Sequence, residues 1–245
     1  MDGEERTKDN AMGIINEKYE IEPIGRIITD FDSKFGIPRQ SSLVKGLKGK
    51  IIFYPKYRDP VAVRGLENYS YIWLLWSFSD VTNYQWTPSV RPPRLGGNKK
   101  IGVFASRSPF RPNGIGLSSV KIEGIDVLDK AGPIIYVSGV DLLNNTPIFD
   151  IKPYIKTDIH RDGSFGLSDI YGDFHLEVDY PPGILDKLPE EQRENLLGIL
   201  SLNPIPSYQK EPGRIYGLVY ADFEVKFQVA SDGISLLSVE PVEKE

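Results

Sequence analysis

The chain has 245 residues, 40% of them hydrophobic and 26% charged, which suits one large or two smaller folded domains with a real core. It has no cysteine and only two histidines, His160 and His175. That excludes a disulfide framework, Cys-ligated zinc, a thiol nucleophile and three-His or His-Glu-x-x-His zinc sites, and it argues against a Ser-His-Asp triad; metal-free chemistry is expected. The net charge is −5, yet Asp80 and Glu123 bracket 42 residues with no acid and seven bases, so the rest of the chain sums to −12. An acidic protein with one basic belt suits a specific anion better than indiscriminate coating of nucleic acid.

The chain opens Met-Asp-Gly-Glu-Glu, acidic and without an apolar core, so residues 1–17 read as a disordered lead and not a secretory signal. Apolar and β-branched runs then recur between turn residues. They predict strands at Glu20 to Thr29, Lys50 to Tyr54, Tyr71 to Phe78, Ile101 to Ala105, Ile115 to Ile122 and Ile134 to Val140. Gly46-Leu-Lys-Gly49-Lys50 reads as a hairpin turn, Gly124 as a bend and Pro133 as a strand start. No amphipathic helix separates these runs, so the pattern favours an antiparallel sheet or barrel over a doubly wound sheet. The longest apolar run, Tyr71 to Trp76, is strand-sized, so no membrane span is expected; with no cysteine in the chain, the cytoplasm is the default location.

A polar connection, Thr157 to Gly172, leads to a second, smaller unit. Its predicted elements are a strand at Phe174 to Val178, a helix after Pro189-Glu190-Glu191 that ends at Asn203-Pro204, and strands at Arg214 to Tyr220, Phe223 to Val229 and Gly233 to Val239. The strict alternation of Phe223 to Val229 predicts one buried and one wet face. The expected organisation is thus residues 18–157 as a mainly β barrel and 158–245 as a small α+β extension.

The segment Phe104 to Leu117 concentrates the chemistry. It sets Arg107, Ser108, Arg111 and Asn113 between two prolines and two glycines, which makes a stiff loop able to aim several donors at one ligand. Neither Gly-x-Gly-x-x-Gly after a strand nor Gly-x-x-x-x-Gly-Lys-Ser/Thr occurs, so a nucleotide-like cofactor would not sit in a Rossmann crevice. Four further clusters are weak singly: Pro38-Arg39-Gln40, Arg64-Gly65-Leu66-Glu67, Arg91-Pro92-Pro93-Arg94, and Asp141 through Asp150, Lys152 and Tyr154.

In this order, however, the series Pro38-Arg39-Gln40, Ala62 to Glu67, Arg91 to Asn98, Arg107-Ser108 with Phe110-Arg111-Pro112-Asn113, and Asp150-Ile-Lys-Pro-Tyr154 resembles the TsaA-like family of TrmO-type tRNA methyltransferases. The resemblance runs from about Tyr19 to Tyr154 and resumes at Asn203 to Tyr208 and Tyr216 to Val229. It implies a single-sheeted antiparallel β-barrel, a homodimer, and S-adenosylmethionine (SAM) bound near the subunit interface. The implied reaction is N6-methylation of threonylcarbamoyladenosine at position 37 of tRNA, in the anticodon loop.

Carried over by position, the resemblance implies a SAM pocket at Pro38, Arg39, Gln40, Arg107, Leu117, Ser138, Gly139, Val140 and Asp141. Arg107 suits the methionine carboxylate, and Asp141 the amino or ribose hydroxyl groups. Candidate proton acceptors are Asp141 and Asp150, with Tyr154 behind them, and candidate tRNA contacts are Arg91, Arg94, Arg111, Asn113, Lys152 and Tyr208. Three departures from the family pattern stand out: Ser79-Asp80 where His-Gln is common, Gly114 where Pro is common, and no arginine in Asn203-Pro-Ile-Pro-Ser-Tyr208. A SAM-binding regulator, a cofactor-free RNA-binding barrel, and a SAM enzyme with another substrate are the alternatives the sequence leaves open.

Overall fold

A computed structural model of the chain describes residues 18–78, 85–92, 99–166, 169, 174–205, 211, 213–230 and 233–242. In chain order the strands are β1 (Gly25–Thr29), β2 (Lys48–Phe53), β3 (Tyr71–Ser77), β4 (Ser89–Val90), β5 (Ile101–Gly102), β6 (Ile115–Asp126), β7 (Ile134–Ser138) and β8 (Thr146–Pro153). Then follow β9 (Glu177–Asp179), helix α1 (Glu190–Ser201), β10 (Ile215–Tyr220), β11 (Phe223–Val229) and β12 (Gly233–Pro241). The lead at residues 1–17, Ser79-Asp80, Arg94 and Tyr208 lie outside the described residues.

A closed barrel forms in the order β1-β2-β7-β6-β3-β8, and every pairing in it is antiparallel. The cause is two-residue periodicity: Ile27, Ile51, Ile72, Leu74, Val120, Ile135, Val137 and Ile148 face inward and are fully or almost fully buried. Each such side chain contributes about 1.5–3 kcal/mol when removed from water, so a one-residue slip would forfeit a whole strand's share. The register shifts in the β6–β7 pairing between Ile122 and Gly124, at the bend expected from Gly124.

The strand that closes the barrel was not foreseen. The stretch from Asp141 to Tyr154 stands among the candidate clusters and not among the predicted strands, and it holds Asn144-Asn145 and two prolines, residues common in turns. Instead β8 pairs with both β1 and β3, with Pro147 in the β1 pairing and Pro153 at its end. Two other expectations are corrected. Gly49 and Lys50 lie inside β2 and not in a hairpin turn, and Ile101 to Ala105 is a two-residue strand followed by a 3-10 turn at Val103–Ala105.

Antiparallel connectivity sorts the loops onto two ends. The C-terminal ends of β1, β3 and β7 and the N-terminal ends of β2, β6 and β8 share one end, called the upper end here. At the lower end, 3-10 turns at Pro55–Tyr57, Pro60–Val63 and Leu66–Asn68 join β2 to β3, and Arg64 to Glu67 falls among them.

The C-terminal sheet has the order β10-β11-β12-β9, with β9 parallel to β12. It docks on the residues that follow β1. Phe31 packs on Tyr220 with ring centroids 5.7 Å apart, and Phe35 stacks on Phe227 at 6.4 Å. Asn195 Nδ2 donates to the Gly46 carbonyl at 3.1 Å, and a Cβ on Gly46 would lie 2.2 Å from Asn195 Oδ1. Only glycine admits α1 at that distance. No helix among the described residues is long and apolar enough to cross a membrane.

Candidate functional site

The upper end brings together three segments that are far apart in sequence. The residues after β1 turn at Pro38, which is buried, and present Arg39 and Gln40. The loop between β5 and β6 presents Arg107, whose Nη1 donates to Gln40 Oε1 at 2.5 Å. Gln40 Nε2 in turn donates to the Arg39 carbonyl at 2.5 Å. Two backbone links hold the first segment in place: Ser42 N–H donates to the Gly139 carbonyl at 2.8 Å, and Ser119 N–H donates to Ser41 Oγ at 3.1 Å.

The Arg107 loop is cross-linked by its own polar side chains, its second arginine among them. Arg111 Nη1 donates to the Ser106 carbonyl at 2.9 Å and to the Ser108 carbonyl at 3.4 Å. Ser106 Oγ donates to the Val103 carbonyl at 2.8 Å and accepts from Ser108 N–H at 3.2 Å. Arg111 therefore braces the loop that aims Arg107. Asn113, exposed, offers its backbone carbonyl to Ile115 N–H at 2.8 Å. Leu117 and the loop aromatics Phe104 and Phe110 are exposed at 44%, 73% and 47%.

Asp141 completes the cluster from the segment after β7. Burial raises its carboxyl from the ordinary 3.8 to about 6, partly countered by the Ser118 hydroxyl, its own backbone, the Arg107 guanidinium and the Ser41 backbone. Its Oδ1 is buried and lacks a hydrogen-bond partner. A carboxylate that is desolvated, close to an arginine and short of a donor is poised for a cationic or hydroxylic ligand group. Of the preceding residues, Val140 is core and Ser138 donates to Glu123 Oε1 at 2.6 Å, so the Ser138 hydroxyl is already committed. That hydrogen bond, joined by Lys121 at 2.9 Å, holds the Glu123 carboxyl below its usual range.

The other candidates lie elsewhere. Asp150 pairs in register with Leu75 of β3, forms an ion pair with Lys152 at 2.8 Å, and accepts from its neighbour's N–H. It borders a cavity of about 640 Å³ at the lower end, together with Arg64, Tyr57, Tyr69 and Val63. Tyr154 packs on Trp73 at 5.2 Å and on Tyr71 at 6.4 Å. Neither Asp150 nor Tyr154 joins the network around Asp141. Arg91, Lys99 and Lys100 are exposed at the ends of the described belt segments.

Ser118, Trp76, Ser41 and Gly116 were not singled out from sequence, apart from the general neighbourhood of Leu117. Trp76 Nε1 donates to Ser118 Oγ at 3.0 Å. Only a polar Ser at an inward position of the Ile115 to Ile122 alternation could have signalled this.

Comparison with known proteins covers both the barrel and the C-terminal sheet. The model of the tRNA-methyltransferase O N-terminal domain matches residues 26–158, and that of the TrmO C-terminal domain matches 174–242. The tRNA (adenine(37)-N6)-methyltransferase of Escherichia coli K12 is 36% identical over 232 residues, covering 91% of this chain and 98% of the relative. The protein of the same description from Eikenella corrodens is 40% identical over 172 residues, covering 69% and 96%. A crystal structure of TrmO from Pseudomonas aeruginosa superposes with a TM-score of 0.71 at 32% identity, covering 91% of this chain and 99% of that one. Barrel and C-terminal sheet alike therefore have their counterparts in one group of proteins, and the chain belongs to the TrmO family.

Proposed function

We propose that the protein methylates N6 of threonylcarbamoyladenosine at position 37 of tRNA, with SAM as donor and the upper end of the barrel as the cofactor seat. The observation that carries this reading is the opposed pair of charges at that end: Arg107 on Gln40, and Asp141 with a buried, unpartnered oxygen. The amino-acid moiety of SAM carries one carboxylate and one ammonium, and this donor set fits both. When bound, SAM supplies an already electrophilic sulfonium methyl, so the protein needs chiefly to bind, align and receive a proton.

Arg107 has further guanidinium donors besides the one given to Gln40 and suits the carboxylate, while Asp141 suits the ammonium. Gln40 keeps the guanidinium aimed, and the backbone from Ser138 to Asp141 shapes the wall beside it. Leu117 offers apolar surface to the donor's ring or stem. Asp150, with Tyr154 directly after the same strand, is the candidate acceptor for the N6 proton. Because these two stand apart from the Asp141 network within one chain, the reading includes a homodimer in which a second copy completes the centre.

Exposed Phe104, Phe110 and Trp86 supply faces on which an unstacked base can rest. Arg91, Lys99 and Lys100 supply charge for phosphates around the anticodon loop, and Arg94, Lys152, Asn113 and Tyr208 are the further candidate tRNA contacts. A cytoplasmic location goes with this substrate.

The test is to incubate the purified protein with SAM and tRNA from a strain lacking it, then digest to nucleosides and weigh them. Threonylcarbamoyladenosine should gain one CH2 in mass. Retained SAM with no heavier nucleoside would replace this reading with the regulatory one.

A further inference from the structure

We propose that Trp76 and Ser118 are positioning residues that aim a hydroxyl hydrogen at Asp141 and keep it ready for the ammonium group of the cofactor; this rests on the cofactor reading above. Ser118 is fully buried in β6, between the inward positions Gly116 and Val120. A buried hydroxyl is costly unless bonded, and a serine hydroxyl has a single hydrogen to give. With Trp76 Nε1–H donating to Ser118 Oγ at 3.0 Å, a lone pair is occupied and the single hydrogen is left for another acceptor, and the Ser118 hydroxyl is among the groups that favour the Asp141 anion.

The indole can reach Ser118 only because of the residue across the ladder. Trp76 pairs with Gly116. A Cβ on Gly116 would sit 2.3 Å from the indole Cε2, so the ring lies directly over the glycine. Phe78 closes the other side edge-on, with ring centroids 4.4 Å apart. Glycine, tryptophan and serine at 116, 76 and 118 thus form one device. Around Asp141 the charged neighbour is Arg107, from the loop before β6. The Ser118 hydroxyl and the Ser41 backbone face it as neutral dipoles, from β6 and from the segment after β1.

The test uses S118A and W76F in the full-length protein, with two readouts. One is the Asp141 carboxyl titration followed by carbon-13 NMR without cofactor; the other is SAM affinity by calorimetry from pH 5 to pH 8. Loss of a donor to an anion should move the Asp141 titration in S118A upward by about one pH unit. SAM would then bind about fivefold more weakly than to the parent at pH 6, with the gap closing toward pH 8. W76F, which keeps a ring but loses the N–H, should move both readouts the same way by less. An affinity loss equal at every pH, or an Asp141 titration unmoved in both variants, would overturn the positioning role. Parent affinity flat across the range would instead overturn the assignment of Asp141 to the ammonium group, and the proposal with it.

Discussion

Replacing Asp141 by Asn tests whether the site stores a stability cost for function. Raising the carboxyl from 3.8 to about 6 disfavours the buried anion by about 3 kcal/mol at 1.36 kcal/mol per pH unit. The sign follows from linkage. The folded state holds this proton more tightly than the unfolded state, so the contribution of Asp141 is most favourable below pH 4. It is lost as pH rises to about 6 and stays lost above that. The neutral amide carries no such cost. Relative to the parent, D141N should gain nothing at pH 4 and about 1–3 kcal/mol at pH 7 to 8, the lower value if the amide leaves its own donors unpaired. In a chain of this length each kcal/mol is worth about 2–4 °C in Tm. The assay is urea or thermal unfolding of both proteins at half-unit pH steps, with SAM calorimetry alongside. The expected outcome is a more stable protein that binds SAM at least tenfold more weakly. A stability difference that does not grow between pH 4 and 6, or a less stable variant at pH 8, would refute the desolvation argument.

Arg107 is exposed, so R107A should leave Tm within a degree or two while lowering SAM affinity about 10- to 100-fold, the worth of a charge-assisted hydrogen bond; undiminished calorimetric affinity would remove it from the pocket. D150N should slow single-turnover methyl transfer with SAM affinity unchanged, and an unchanged rate would end its candidacy as acceptor. Binding of tRNA should weaken steeply with salt, and a K99A/K100A double variant should flatten the log–log slope by about 1–2, read by filter binding across salt concentrations. G46A should destabilise the protein by about 1–3 kcal/mol in urea melts, because its methyl would displace Asn195 from the α1 contact.

Much of the architecture was legible in the chain because strand signals are local. Alternation over Phe223 to Val229, the apolar runs at Tyr71 and Ile134 and the acidic first turn after Pro189 each report a neighbourhood a few residues wide, and each became the expected element. The ordered motif series likewise identified the family, and with it Arg107, Gln40 and Asp141, which fold to one end of the barrel.

Other features could be decided only by contacts between distant residues. Thr146–Pro153 looks like a turn until β1 and β3 offer it hydrogen-bonding edges on both sides, and only then does the barrel close. Arg111 is indistinguishable from Arg107 as a letter, yet its guanidinium wraps its own loop while that of Arg107 crosses to Gln40. Asp141 and Asp150 stand nine positions apart with the same side chain. Burial leaves one without a partner for an oxygen, and Lys152 neutralises the other. Composition and periodicity determine which segments become strands, since those depend on side chains alternating along a single backbone. Which charges are satisfied and which are left waiting depends on what the closed barrel sets opposite each of them, and that is decided by the tertiary structure alone.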